Sequence, residues 1–242
     1  MKSCFLLLIS LLWLAGCSTL KTSDDPSRHI ANDPFEGLNR SVWAFNDGAD
    51  KLVLRPVAHA YRRTMPKPAQ GGIKRFFSNL REPISAFNNL LQGEFDRALR
   101  STFRFSVNST LGLFGVFDVA KSYGVHAVHE DFGQTLAAWG VGPGPYIMLP
   151  LVGPTNLRDG VGRISDTLVF YPFNQITDSD ATLTGLVLVD ILALRVSLLG
   201  SDKVLDQQLD PYAFLKAAVE KSRIDDIYND KPPYDKELDY DF

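Results

Sequence analysis

Apolar positions along the chain follow three rhythms, and each predicts a different kind of segment. Residues 5–15 are almost continuously apolar, residues 35–106 carry apolar residues at helical spacing, and residues 183–199 are apolar on nearly every helical face. In the second region Phe35, Leu38, Val42 and Phe45 repeat at i, i+3, i+7 and i+10, which predicts a helix with one apolar face. Its start is expected at Asp33-Pro34-Phe35-Glu36, read as N-cap, N1 proline and N3 glutamate. Ile73, Phe76, Phe77 and Leu80 form one stripe and Ile84, Phe87, Leu90 and Leu91 another, predicting two helices with a break at Pro83. Pro56, Pro66, Pro68, Gly71 and Gly72 punctuate short helices before them. Next, Phe95, Leu99, Thr102, Phe103 and Ser106 share one side of a helix and Arg97, Arg100 and Arg104 the other. Such a helix suits either a membrane interface or a core beneath a solvated arginine face.

The middle of the chain differs in kind. Residues 111–117 are apolar and glycine-rich, and residues 140–154 hold Gly140, Gly142, Gly144 and Gly153 with Pro143, Pro145, Pro150 and Pro154 among bulky apolar side chains. That proline density excludes a long helix or a central strand. An apolar loop must still leave water, and at membrane depth its unpaired amides cost several kcal/mol each unless buried in protein or facing a wet cavity. The segment therefore reads either as the wall of a passage or as a loop packed in a soluble core. If Gly142 uses positive φ, Gly142→Val strains it. Residues 183–199 read as a buried helix of a membrane-embedded body, because Asp190 and Arg195 interrupt the apolar run. Asp210-Pro211 opens a last capped helix carrying Tyr212, Leu215 and Val219.

The first apolar run is too short to span a bilayer and ends in Leu14-Ala15-Gly16-Cys17, a lipobox preceded by the basic Lys2. Cleavage after Gly16 would leave Cys17 as the lipidated N-terminus, and a multi-chain anchor at ~0.8 kcal/mol per buried CH₂ holds stably. Ser18, in place of an aspartate, points to outer-membrane sorting. The expected organisation is a signal peptide over residues 1–16, a tether over 17–32, one domain over 33–229 and an acidic, disordered tail over 230–242. Cys4 leaves with the signal, so the processed chain offers no disulfide and no cysteine nucleophile.

Charge sharpens this picture only locally. Losing Lys2 turns 25 basic against 28 acidic residues into 24 against 28, yet residues 55–104 are strongly basic and residues 225–242 strongly acidic. The basic stretch suits anionic headgroups or an acidic partner, or is simply solvated. The compartment excludes nucleic acid. Reaction chemistry is missing: there is no Gly-x-Ser-x-Gly, and Gly140-Val141-Gly142-Pro143-Gly144-Pro145 breaks the dinucleotide pattern. His126, His129, Glu130 and Asp131 form a tight cluster without zinc-motif spacing, read as a polar turn rather than a metal site. No enzyme and no cofactor is expected.

Read together, Asp33-Pro34-Phe35-Glu36-Gly37-Leu38-Asn39-Arg40, Leu54-Arg55-Pro56-Val57-Ala58, Asn79-Leu80-Arg81-Glu82-Pro83 and Asn88-Asn89-Leu90-Leu91-Gln92-Gly93 resemble the MlaA/VacJ family of outer-membrane lipoproteins. So do Asn108-Ser109-Thr110-Leu111-Gly112, Asp131-Phe132-Gly133-Gln134-Thr135-Leu136, Trp139-Gly140-Val141-Gly142 and Gly153-Pro154 with Arg158-Asp159, in order from about residue 32 to 228. The resemblance implies a mostly α, single ring-shaped helical domain with a Gly/Pro-rich irregular central segment, embedded from the periplasmic side. It implies a passive channel that removes mislocalised phospholipid from the outer leaflet and passes it to a soluble periplasmic carrier, in company with a trimeric general porin. By analogy the helix around Phe45 and Asn46 controls access and the loop over residues 140–150 contributes to the wall. Phe45, Asn46, Phe132, Gly142, Gly144 and Leu149 are the channel or gating candidates. A porin-associated structural lipoprotein and a lipolytic enzyme are the competing readings.

Cys17→Ala is expected to block lipidation and signal processing, leaving an unprocessed precursor by gel mobility and mass and abolishing function in complementation.

Overall fold

The computed structural model describes residues 29–170 and 179–229. The lipobox, Cys17, most of the expected tether and the acidic tail lie outside the described residues. The fold is mostly α-helical, as expected, with one small hairpin. Helix α1 (Glu36–Ala49) runs through one π-helical turn (Asp50–Leu54) into α2 (Arg55–Thr64). The long α3 (Lys67–Leu91) packs along α4 (Phe95–Thr110), followed by the short α5 (Val119–Ser122) and α6 (Phe132–Ala138). Strands β1 (Tyr146–Leu149) and β2 (Gly153–Asn156) pair antiparallel, with Tyr146 opposite Asn156 and Leu149 opposite Gly153. Helices α7 (Leu157–Phe170), α8 (Asp180–Leu198), α9 (Asp202–Asp206) and α10 (Pro211–Ile227) complete the chain.

Several local expectations change. Asp33 does not cap α1, which starts at Glu36 without a side-chain cap. Its carboxylate instead accepts from Asn39 Nδ2 at 2.8 Å and from the Tyr212 hydroxyl, tying both ends of the chain together. Residues 29–32, within the stretch read as tether, pack: Ala31 and His29 are buried, and Asn32 O accepts the Tyr146 N–H at 2.7 Å. Gly71 and Gly72 lie inside a helix, and a Cβ on Gly72 would sit 3.1 Å from Val116 Cγ1, so the glycine serves a close approach and not a turn. The Gly/Pro-rich segment does form strands, but only a two-stranded ladder in which Pro154 faces Met148, so no central position is demanded of a proline.

Pro83 does not break the chain; it lies inside the single 25-residue helix α3. A proline there removes one helical bond and displaces the carbonyl four residues back, a cost of ~3 kcal/mol. Tertiary bonds on both sides of it offset that cost. Asn79 Nδ2 donates to Ser109 Oγ at 2.9 Å, Arg104 Nε donates to Glu82 at 2.7 Å, the Glu130 N–H donates to Ser85 Oγ at 3.1 Å, and Asn88 Nδ2 donates to Asp166 at 3.1 Å.

The larger departure concerns which faces are inside. On α4 two of the three arginines turn inward, Arg104 5 % exposed and bonded to Glu82, Asp118 and Val125 O and Arg97 reaching Glu130, while Arg100 stays exposed and Phe95, Leu99 and Phe103 project outward. Helix α1 is turned the same way, with Asn39 buried and Phe35, Leu38 and Phe45 exposed. Helix α8, expected to be buried, is 6 % buried over an 18-residue stretch long and apolar enough to cross a membrane. Its charges point inward, Asp190 to Arg81 and Arg195 to Asp50 and Asp202. Among the described residues the interior holds sixteen polar or charged side chains against twelve apolar ones, six of them alanine. This partition is the reverse of a water-soluble core.

Removing one partner of a buried ion pair costs ~3–5 kcal/mol, whereas replacing both with apolar residues of similar volume is close to neutral. Glu82→Ala is therefore expected to lower stability by about 3 kcal/mol, and Glu82→Leu combined with Arg104→Met to recover most of the loss, read by denaturant unfolding in detergent.

Candidate functional site

The polar interior opens into a cavity of about 840 Å³, near the upper end of the range for small-molecule sites. Segments from the whole chain surround it. Helix α3 supplies Phe77, Leu80 and Ile84, α8 supplies Val187, Ile191 and Leu194, and the hairpin supplies Tyr146 and Thr155. The loop before α6, together with α7 and α10, makes the polar floor.

Arg223 on α10 organises that floor. Its guanidinium donates to both oxygens of Asp131 at 2.7 Å and to both oxygens of Asp159 at 2.9 and 3.0 Å. The same carboxylate of Asp159 accepts from Arg158 Nε at 2.8 Å and from Asn156 Nδ2 at 2.7 Å. The crossing of α6 and α7 beside this cluster needs two glycines. A Cβ on Gly162 would stand 2.3 Å from Gly133 N, and one on Gly133 would stand 2.5 Å from Arg223 Nη2.

Electrostatics separates the carboxylates. Burial pushes Asp159 up, but hydrogen bonds from Arg158 and the charge of Arg223 outweigh it and hold the group at about 2. For Asp131 burial is likewise outweighed, here by Arg223. Burial wins at Asp166, which is pushed above its ordinary value although the Phe132 N–H and Asn88 donate to it. His129 is held below its ordinary value by burial and by Arg104, Arg81 and Lys74, so it stays neutral at pH 7. On the floor, Asp131 and Asp159 are thus committed to ion pairs and Asp166 to neutral donors. Facing it, Lys74 and Arg163 line the cavity without an ion-pair partner among the described residues. Apolar walls, a hydrogen-bonding floor and unpaired cations suit an anionic amphiphile.

The sequence candidates fall elsewhere. Phe45 projects outward, 58 % exposed. Asn46 grips the hairpin turn, donating to Leu149 O at 2.9 Å and accepting the Leu151 N–H at 2.7 Å. Asn39, two helical turns earlier on the same face, does the same to the outer edge of β1, donating to Tyr146 O at 3.1 Å and accepting the Met148 N–H at 2.9 Å. Phe132 packs edge-on against Trp139 at 6.0 Å between ring centroids. Gly142 stands in open space without positive φ; Gly144 is the strained position, at φ +67 with Leu157 Cβ 3.1 Å from where a side chain would start. Leu149 lines a separate apolar groove of about 430 Å³. His126, His129, Glu130 and Asp131 do not converge: Glu130 is held by Gln92 and Arg97, Asp131 by Arg223, and no group of three metal-ligating side chains occurs among the described residues.

Sequence reasoning missed Arg223, Lys74, Arg163 and Asp166. The Gly160-Val161-Gly162 pair inside a helical stretch was the available signal for a tight crossing. Nothing in the spacing marked Arg223. Much of the basic stretch over residues 55–104 is consumed internally, since Arg55, Arg81, Arg97 and Arg104 all pair with carboxylates.

The family model described as MlaA lipoprotein matches residues 31–225. The chain is 36 % identical over 209 residues to the intermembrane phospholipid transport system lipoprotein MlaA of Escherichia coli, covering 85 % of this chain and 80 % of that protein. It is 33 % identical over 222 residues to the protein of the same name from Haemophilus influenzae, covering 90 % and 87 %. An uncharacterised protein of Rickettsia typhi is 37 % identical over 191 residues, covering 79 % and 76 %. A solved structure, from work on the structural basis for maintenance of bacterial outer membrane lipid asymmetry, superimposes with a TM-score of 0.71 at 38 % identity, covering 81 % of this chain and 98 % of that one.

A carboxyl held below its ordinary value stabilises the fold fully above about pH 4, and the contribution fades as pH falls through the folded value. With Asp159 held at about 2, about 2 kcal/mol of stability is expected to disappear between about pH 4 and pH 2. Asp159→Asn should flatten that acid limb in a pH series of thermal melts.

Proposed function

The chain belongs to the MlaA lipoprotein family, and we propose that its central cavity conducts phospholipid out of the outer membrane's outer leaflet as a passive channel, maintaining lipid asymmetry. The observation that carries this reading is the inverted partition of the molecule. Apolar helix faces turn outward around an interior of paired charges, and the interior opens into a cavity with both apolar walls and unpaired cations. A phospholipid moving through such a space keeps its phosphate near Lys74 and Arg163 and its tails against Phe77, Leu80 and Ile191. No bond need break. The outward aromatic and aliphatic side chains, with α8 the longest apolar element, support a body set into the membrane from the periplasmic side and held there by lipid on Cys17.

In this reading a soluble periplasmic carrier receives the lipid, and a trimeric porin flanks part of the apolar exterior. The buried His29 and Ala31 support a packed domain that takes in residues ahead of 33. Hairpin position is set by Asn39 and Asn46, so their role is to hold the channel wall and not to touch lipid. The lipolytic reading finds no support at Ser85, whose hydroxyl is bonded to the Glu130 backbone.

A deletion strain is expected to accumulate phospholipid in the outer leaflet, read by lipid A palmitoylation and detergent sensitivity. A photocrosslinker at Leu80 should capture phospholipid. Unchanged asymmetry together with an unlabelled cavity overturns the channel, and a porin scaffold alone predicts that pair of results.

A further inference from the structure

The cavity and the apolar groove are two faces of the same pair of elements. Strand residues alternate sides, so Tyr146 turns into the cavity while Ile147 and Leu149 line the groove. Helix α7 is split in the same way. Asp159 and Asp166 face the cavity, and Leu157, Val161, Ile164 and Leu168 face the groove, which is open to the surroundings where Leu168 is 81 % exposed. Four residues border both spaces: Thr155, Asn156, Arg163 and Thr167. Arg163 is the charged one.

Arg163 is also conspicuous for what it does not bind. Its natural partners on a helix are the acids three and four positions away, Asp166 and Asp159. Both are taken. Asp159 is shared by Arg158 and Arg223, and Asp166 accepts from the Phe132 N–H at 2.9 Å and from Asn88 at 3.1 Å. Arg163 makes no ion pair among the described residues, so a guanidinium fork suited to two phosphate oxygens stands at the seam between a greasy groove and a polar cavity. The groove walls are almost wholly apolar, which excludes a headgroup there and fits acyl chains.

We propose that this seam is a lateral portal through which a phospholipid passes between membrane and cavity, its acyl chains in the groove and its phosphate bound by Arg163. The proposal rests on the phospholipid-channel reading and adds the side on which the channel opens and the residue that selects the anionic headgroup. The charge at Arg163 and its continuity with both spaces identify the occupant. A neutral lipid without phosphate has no partner for the guanidinium.

The test uses the full lipidated protein in its native outer membrane, in cells whose phospholipid is labelled with radioactive phosphate. A benzoylphenylalanine is placed in turn at Ile147 in the groove, at Val219 in the cavity and at Leu99 on the outward face of α4, where it meets bulk lipid. All three positions should capture labelled phospholipid. Arg163→Glu should reduce capture at Ile147 and Val219 by about tenfold or more, the effect of losing one charge-assisted contact, and leave Leu99 unchanged. Arg163→Lys should restore most of it. Capture at Ile147 that is absent or indifferent to Arg163→Glu, with Val219 still labelled, overturns the portal and leaves the channel standing. Loss of capture at both Ile147 and Val219 in the parent protein overturns both. Equal loss at all three positions in Arg163→Glu reports a misassembled body and overturns the assignment of a local role to Arg163, and Arg163→Gln with its protein level measured by immunoblot checks that outcome.

Discussion

The buried ion pair between Arg104 and Glu82 is the contact on which the rest of the architecture depends. It joins α3 to α4, with Glu82 1 % exposed and Arg104 5 % exposed, and it extends through Asp118 and Asn108 into the loop that follows. Two charges taken from water are costly, and their attraction repays the cost only in good geometry with further hydrogen bonds; Arg104 gains these from Asp118 and Val125 O, while Glu82 Oε2 is left without a partner. The pair sets α3 and α4 in one register and turns their polar faces together. Once those faces are inside, Phe95, Leu99 and Phe103 can only point outward. The same logic recurs at α8, where Asp190 and Arg195 find partners on α3 and on the π-helical turn, Val187 and Ile191 border the cavity beside them, and Leu188, Val189 and Leu198 stay exposed.

Such an interior costs less in a membrane than in water. A water-soluble fold gains most of its stability by hiding apolar area, and this chain instead leaves thirty-two large apolar side chains exposed among the described residues. In the proposed membrane setting, lipid would remove the penalty for those faces and at the same time raise the penalty for any unpaired polar group turned outward. The arrangement of Asn39 and Asn46 is a local case. The outer edge of β1 would offer unpaired backbone groups, and two asparagine side chains on α1 satisfy them. The hairpin thereby becomes a fixed wall shared by the cavity and the groove.

Charge pairing also explains why the cavity is selective about which groups it leaves available. Arg223 draws Asp131 and Asp159 into one cluster, Arg97 and Gln92 hold Glu130, and Asn88 with the Phe132 amide holds Asp166. These four acids are occupied, and Lys74 and Arg163 make no ion pair among the described residues. Glu220 also lines the cavity with one oxygen that meets no hydrogen bond, but burial pushes its carboxyl above the ordinary value and so disfavours its charge; the unpaired cations supply the sign a phosphate requires.

Much was legible in the residues alone: helices from the 3.6-residue rhythm, the Asp210-Pro211 start of α10 and the ordered motifs that mark the family. These are local properties, set by backbone geometry or by a contiguous recognition sequence, and they do not depend on what packs against them. The direction of each helix face was not legible. Periodicity separates an apolar side from a polar side, but which side is inside depends on the surrounding medium and on partners far along the chain, such as Glu82 for Arg104 and Asp50 for Arg195. For the same reason Pro83 read as a break and became the interior of a helix held by bonds to three other segments. Arg223 and Arg163 carried no local mark at all. One became the centre of the cavity floor and the other an unpaired cation only because tertiary packing decided which carboxylates each could reach.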